Sequence, residues 1–267
     1  MIGARRAKKP RNIGAGKRGL NMLVLRNPRF ILLNAVYLLG AIHPAAAARV
    51  HSVIELFTSQ GCSSCPKADR ILGQLAQDPD ILAVSLPVDY WDYIGWRDTL
   101  ASPIFTARQK AYAAASGHDQ VYTPQAVVDG VAEVVGGDLA AIQGAAKSSV
   151  ETAGVMAASM NVSVKGAAIA VTIDAAPAGA PRQASVYLMA LTRSQTVKVE
   201  RGENAGAQLT YANVVRAIIK IGEWRGEKTE LSADAALAHV DGADSFAIVL
   251  QAGGREQPGP MLAAWAP

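Results

Sequence analysis

Residues 50–69 read VHSVIELFTSQGCSSCPKAD, and the change of pattern inside this stretch decides how the chain is read. Val50 to Phe57 is nearly continuous in apolar character, as expected of a central strand buried on both faces. Pro66 then fits a first helical turn, and Ala68, Ile71, Leu72, Leu75 and Ala76 follow at helical spacing. Cys62 and Cys65, the only 2 cysteines among 267 residues, therefore stand where a strand gives way to a helix. A thiol at a helix N-terminus faces unpaired backbone N–H groups and the positive end of the macrodipole, which favour thiolate over thiol. Cys62 is the candidate nucleophile, expected to meet incoming thiols or disulfides at an exposed sulfur. Cys65, about one helical turn further on, is the candidate resolving thiol that expels a partner bound at Cys62.

Two other readings compete with redox chemistry. A disulfide closing so short a loop contributes about 2 kcal/mol in the chain-entropy treatment, against about 5 for a loop of about 100 residues, which makes it a poor staple. Structural zinc wants four ligands, whereas the chain offers two thiols and 4 scattered histidines, His43, His51, His118 and His239. Copper held by two thiolates and the His118 imidazole is the remaining metal reading. No resident metal or cofactor is expected.

Toward the N-terminus, the first 48 residues carry 9 Lys or Arg and no acid, then a 13-residue apolar run from Phe30 to Ile42, then Ala46-Ala47-Ala48. This is the composition of a secretory signal peptide over 1–48. A helix of that run reaches about 20 Å, short of the roughly 30 Å hydrocarbon core, so no permanent membrane span is expected after its removal. Met22 offers a second start with a more ordinary leader length. The formal charge of +4 belongs to the leader: residues 49–267 hold 17 basic and 22 acidic side chains. With no basic surplus to engage phosphates, nucleic acid is excluded as a partner. A periplasmic or secreted location, where disulfides persist, is expected.

Toward the C-terminus, Ile81 to Val88 reads as a second strand. Ser102-Pro103 caps a helix carrying Ile104, Phe105, Ala107, Ala111 and Tyr112, with Gly117 as its stop. Gln125 to Val128 and Ala132 to Val135 form a hairpin across Asp129-Gly130, and Asp138 caps an alanine-rich helix reaching about Ala158. The order strand, helix, strand, helix, hairpin, helix resembles the thioredoxin core. That resemblance implies a cis peptide bond at Thr123-Pro124, beside the cysteine pair.

Five motifs narrow the resemblance: ELFTSQGCSSCPKAD (55–69), VDYWDYIGW (88–96), RQKAY (108–112), VYTPQAVVDG (121–130) and RGENAG with YANVVR (201–216). Together they resemble an exported bacterial thioredoxin-like family, domain-of-unknown-function family 1223, over nearly all of the chain after the leader. The resemblance implies fold and export, and it leaves the substrate open.

Around the thiols, Glu55 lies close to where thioredoxins hold a buried carboxylate that moves protons. The register is offset by one residue, and a slip of one reverses the face of a strand. Glu55 is therefore read either as a general base with a burial-raised pKa or as a solvated acid at the strand edge. Ser59, Gln60, Ser63 and Ser64 offer neutral hydrogen bonds to a thiolate. The loop after the second strand concentrates Tyr90, Trp91, Tyr93 and Trp96. It follows the carboxyl end of a strand, on the edge where the cysteines lie. Trp91, Trp96, Asp89, Asp92 and Thr123 are the candidate partner-binding residues, against the plainer reading that the rings pack under the loop. Arg97 and Arg108 are available to pair with Asp89 or Asp92.

From about Ser159 the pattern changes to strands separated by turns: Asn161 to Lys165, Ile169 to Asp174, Ser185 to Thr192, Thr196 to Glu200, Ala217 to Ile221 and Phe246 to Gln251. The expected fold is thus an α/β thioredoxin-like domain, 49–158, followed by an all-β antiparallel sandwich-like domain, 159–267. In RGENAG, Glu203 and Asn204 are expected to cap a turn rather than reach the other half. No phosphate-cradling glycine loop and no Ser-His-Asp arrangement is present. The resulting expectation is a thiol–disulfide oxidoreductase acting on protein or small-molecule thiols and disulfides, with Cys62, Cys65, Pro124 and Glu55 as catalytic candidates. The alternatives are a binding module with a structural disulfide and a copper-handling protein.

Overall fold

Strand β1 (Ser52–Thr58) forms where the apolar run predicts it, and all seven of its residues are buried. The computed structural model describes residues 50–267, which fall within one compact unit; the expected signal peptide lies outside the described residues. After β1 come α1 (Cys65–Leu75), β2 (Ile81–Pro87), a 3₁₀ turn at Asp92–Ile94, α2 (Pro103–Ala115), β3 (Gln125–Val128), β4 (Ala132–Val135) and α3 (Leu139–Ser149). The remainder is β5 (Met160–Lys165), β6 (Ala168–Ile173), β7 (Ala184–Lys198), β8 (Gln208–Trp224), β9 (Thr229–Asp234), β10 (Ser245–Gly253) and β11 (Pro258–Trp265).

β1 pairs in parallel with β2 and antiparallel with β3. Its side chains alternate between two cores. Ile54 and Leu56 pack with Ala68, Ile71, Leu72 and Leu75 of α1 and Ile142 of α3. Val53 and Phe57 point the other way, toward Phe105 and Tyr112 of α2. The β3–β4 hairpin turns at Asp129 and Gly130, both with positive φ (51° and 70°), the conformation that its tight turn requires. The Asp129 carboxylate accepts from Val53 N at 2.6 Å, Ser52 Oγ at 3.1 Å and Ser149 Oγ at 2.6 Å, tying turn, strand and helix end together. α3 ends at that serine, nine residues before the expected Ala158.

The expected fold class is corrected here. The described chain is mostly β, with three α-helices, and it is not a thioredoxin-like α/β domain followed by a separate all-β domain. One mixed sheet of eight strands runs β11-β10-β7-β8-β2-β1-β3-β4, with a second sheet of order β5-β6-β9. The physical reason lies at β2, whose outer edge would otherwise present unpaired backbone groups. β8 covers it in parallel, with Ser85 opposite Val214. Ser85 Oγ donates to Ala212 O at 2.8 Å and Asn213 Nδ2 donates to Ala83 O at 3.0 Å, so the junction is stitched by side chains as well. The core on the α2 face is accordingly shared: Phe57, Leu86 and Tyr112 pack with Tyr187, Met189, Val249 and Met261. The two expected strands at 185–192 and 196–200 are one strand, β7, paired along its length with the 17-residue β8.

Candidate functional site

The site is built on the short loop between β1 and α1. Cys62 and Cys65 form a disulfide, and Pro66 lies in the first turn of the helix that begins at Cys65. The Ser64 hydroxyl stands 3.3 Å from Cys62 Sγ. Ser63 and Ser64 are exposed, but the cysteines are not: Cys62 is 2 % accessible and Cys65 0 %. The expectation of an exposed leading sulfur is therefore corrected.

The β7–β8 connection holds the backbone of this loop. Asn204 Nδ2 donates to both Gln60 O and Cys62 O, each at 2.9 Å, and Glu203 Oε2 accepts from Ser63 N at 3.2 Å. Glu203 and Asn204 thus reach across the molecule instead of capping their own turn, as sequence alone had suggested. Their seats are backbone groups, which leave no mark in a side-chain pattern.

The aromatic loop flanks the same place. A Cβ on Gly61 would come within 3.0 Å of Trp91 Cβ and 3.1 Å of Ile94 Cδ1, so the aromatic loop packs closely on the backbone beside Cys62. Trp91 Nε1 donates to Thr123 Oγ1 at 2.8 Å, and the Thr123-Pro124 peptide bond is cis, as the resemblance implied. Pro124 lies near α1: a Cβ on Gly136 would meet Pro124 Cβ at 3.2 Å and Ala68 Cβ at 3.4 Å. Trp96 Nε1 donates to Gln60 Oε1 at 2.8 Å. Trp91, Trp96, Thr123 and Pro124 are thus gathered around the disulfide loop. Asp89 and Asp92 serve the loop itself, Asp89 accepting from Thr106 Oγ1 at 2.6 Å and Asp92 from Asp98 N at 3.0 Å.

Glu55 is not a solvated acid at the strand edge. It is 1 % exposed and held by Arg108, whose Nε and Nη2 donate to its two oxygens at 2.7 and 3.0 Å, and by Tyr112 OH at 2.5 Å. Arg108 also donates to Gln251 Oε1 at 2.9 Å. Burial works against the Arg108 charge, but the Glu55 carboxylate holds its pKa above the ordinary value; burial likewise pushes Tyr112 well up. Strand parity places Glu55 on the α2 face with Val53 and Phe57, whereas the cysteine-bearing helix packs on the opposite face. Arg108 accordingly pairs with Glu55, not with Asp89 or Asp92.

The carboxylates on the α1 side are Asp69 and Asp98, neither singled out by the sequence reading. Asp69 Oδ1 accepts from Thr58 Oγ1 at 2.7 Å. Burial pushes its pKa up to about 8, a rise that the Thr58 hydrogen bond opposes and the charge of Asp98 adds to. Asp98 Oδ2 accepts from Gln60 N at 2.7 Å; burial raises its pKa to about 6 against the pull of that bond. Tyr211 of β8 faces both, and burial with the two carboxylates drives its pKa upward. A signal for Asp69 existed: it follows Cys65 by four residues on a helix whose Ala68, Leu72 and Leu75 mark the buried face.

For metals, His118 Nδ1 lies 3.4 Å from Glu133 on a side chain 61 % exposed. Among the described residues no group of three His, Cys, Asp or Glu is placed to hold an ion, and no helix is long and apolar enough to cross a membrane.

One family and three known proteins are similar to this chain. The profile of the family described as "Protein of unknown function (DUF1223)" matches residues 53–251. A crystal structure of a protein from Agrobacterium tumefaciens is 32 % identical, with a TM-score of 0.71 over 81 % of this chain and 93 % of that one. HBP35 of Porphyromonas gingivalis gives 14 % identity and a TM-score of 0.49 over 81 % of this chain and 74 % of that one. A protein named "Probable Thioredoxin" from Archaeoglobus fulgidus is 40 % identical over 37 residues, 14 % of this chain; the chain spans 41 % of that relative's length.

Proposed function

Since the chain belongs to domain-of-unknown-function family 1223, and its two cysteines form one disulfide at the start of a helix, we propose that the protein carries out thiol–disulfide exchange. Cys62 attacks and Cys65 resolves. The observation that carries this reading is the seat of Cys62: its sulfur stands next to the Ser64 hydroxyl, just ahead of the first turn of α1, where hydrogen bonds and the helix dipole favour an anion. Trp91, Thr123 and Pro124 supply the wall against which a partner segment rests. The partners are protein or small-molecule thiols and disulfides, met in the periplasm or outside the cell, as the leader composition of residues 1–48 supports.

Because Cys62 is 2 % accessible in the disulfide form, exchange proceeds only when the Asn204 contacts yield. That burial favours a second reading, in which the disulfide is structural and the aromatic loop a binding surface. Expression of Cys65→Ser in the exporting cell separates the two. Exchange predicts mixed disulfides at Cys62 that disappear on reduction, and a thiol pKa below the free value of about 8.5. An inert bridge gives no trapped species, and Cys62→Ser is then without phenotype.

A further inference from the structure

Four buried side-chain atoms among the described residues lack a hydrogen-bond partner, and one of them belongs to the helix that carries Cys65. Asp69 is 2 % exposed on the packed face of α1; one of its oxygens takes the Thr58 hydrogen bond, and the other, Oδ2, is buried with no hydrogen-bond partner. A buried polar atom left unpaired is costly, and a fold retains one only where water, strain or chemistry accounts for it. The Tyr211 hydroxyl, which feels the Asp69 charge, is buried and equally unpartnered.

Helix register supplies the chemistry. Asp69 follows Cys65 by four residues, so the two side chains lie on one face about 5–6 Å apart at Cβ. Cys65 is fully buried, where a thiol has no ready access to water as a base. Of the other buried acids here, Glu55 is engaged by Arg108 on the opposite face of β1, and both oxygens of Asp98 accept from backbone, from Gln60 N and Leu100 N. We propose that Asp69 takes the proton of Cys65 in the resolving step, an assignment that rests on the exchange reading above.

Once a partner sulfur is joined to Cys62, Cys65–SγH gives its proton to the Asp69 carboxylate and the resulting thiolate attacks Cys62 Sγ. The Cys62–Cys65 bond forms, the bond to the partner sulfur breaks, and the partner leaves as a thiolate carrying the electron pair. The two cysteines are oxidised, the partner disulfide is reduced, and the proton rests on Asp69. A carboxylate with an ordinary pKa would be too weak a base for a thiol. The groups facing Asp69 decide otherwise: burial and Asp98 raise its pKa to about 8, close to the free-thiol value of about 8.5, against the lowering by Thr58 and Arg70.

The test mixes reduced protein with oxidised glutathione in a single turnover and follows the Cys62–glutathione adduct and the closed disulfide by mass. In wild type, closure accelerates with pH through about 8 and then levels off. In Asp69→Asn, adduct formation stays within about threefold, closure slows at least about tenfold at neutral pH, and its rate keeps rising as Cys65 ionises unaided. Closure at the wild-type rate with the wild-type profile overturns the assignment and leaves the exchange reading standing. An absence of adduct in Cys65→Ser, where closure cannot consume it, overturns both. Thr58→Val keeps Asp69 but removes the bond that lowers its pKa, and moves the inflection upward. An unmoved inflection overturns the assignment even where Asp69→Asn does not fold.

Discussion

Asp69 and Asp98 give the folded chain a pH dependence opposite to that of ion-paired surface carboxylates. Their pKa values, raised from 3.8 to about 8 and about 6, mean that the native state holds protons that the unfolded state releases. Their contribution is fully present below the unfolded pKa and is lost as pH rises through about 6 and then about 8. We expect thermal scans to show a melting temperature lower at pH 8.5 than at pH 5 by about 4 °C or more. Asp69→Asn should flatten that decline, and an unchanged slope would count against a protonated Asp69. On the other face of β1, Arg108→Ala leaves Glu55 buried without its cation and should cost about 3–5 kcal/mol in urea unfolding. Replacing Glu55 and Arg108 together by leucine and methionine should recover much of that loss. The two carboxylates also show where reading single residues ends. The cysteines were legible because no others compete with them in the sequence, and the cis bond at Pro124 because the thioredoxin resemblance implied it. The face on which Glu55 points depends on a one-residue register between strand and loop, and only the packed strand fixes it.

The β7–β8 connection is the element that holds the cysteine loop. Asn204 donates twice to the loop carrying Cys62, and two hydrogen bonds of about 1 kcal/mol each are enough to slow opening severalfold. Asn204→Ala should therefore speed reduction of the disulfide by dithiothreitol at least about fivefold, read by thiol labelling. Glu203 places a carboxylate on the Ser63 N–H, where it works against a neighbouring thiolate. Glu203→Gln should lower the Cys62 thiol pKa, seen as a shift in the pH dependence of alkylation. Elements differ in how openly the sequence declares them. The β3–β4 hairpin is readable because Asp129-Gly130 can turn so tightly. β7 is not, because its far half runs out as a solvated ribbon in which Arg193, Ser194 and Lys198 break the apolar alternation without ending the strand.

At the scale of the whole molecule, the informative contact is between strands over a hundred residues apart in sequence. No periodicity in Ile81–Pro87 or Gln208–Trp224 says that they are neighbours, since each is sufficiently apolar to be central in a sheet of its own. What joins them is complementarity at a distance: Ser85 to Ala212, Asn213 to Ala83, and a core in which Phe57 and Leu86 share a layer with Tyr187, Val249 and Met261. The Glu55–Arg108 pair is completed in the same way, by Gln251 of β10, which also donates to Tyr112 OH at 2.7 Å. A fragment of residues 50–158 would expose the β2 edge, open that core and leave a buried ion pair lacking one hydrogen-bond partner. We expect such a fragment to give a collapsed amide spectrum and no cooperative thermal transition, whereas residues 50–267 melt in one step. A fragment with dispersed resonances and its own sharp transition would mean that the eight-stranded sheet is two bodies resting together, and that the Asn204 contacts form an interface between domains.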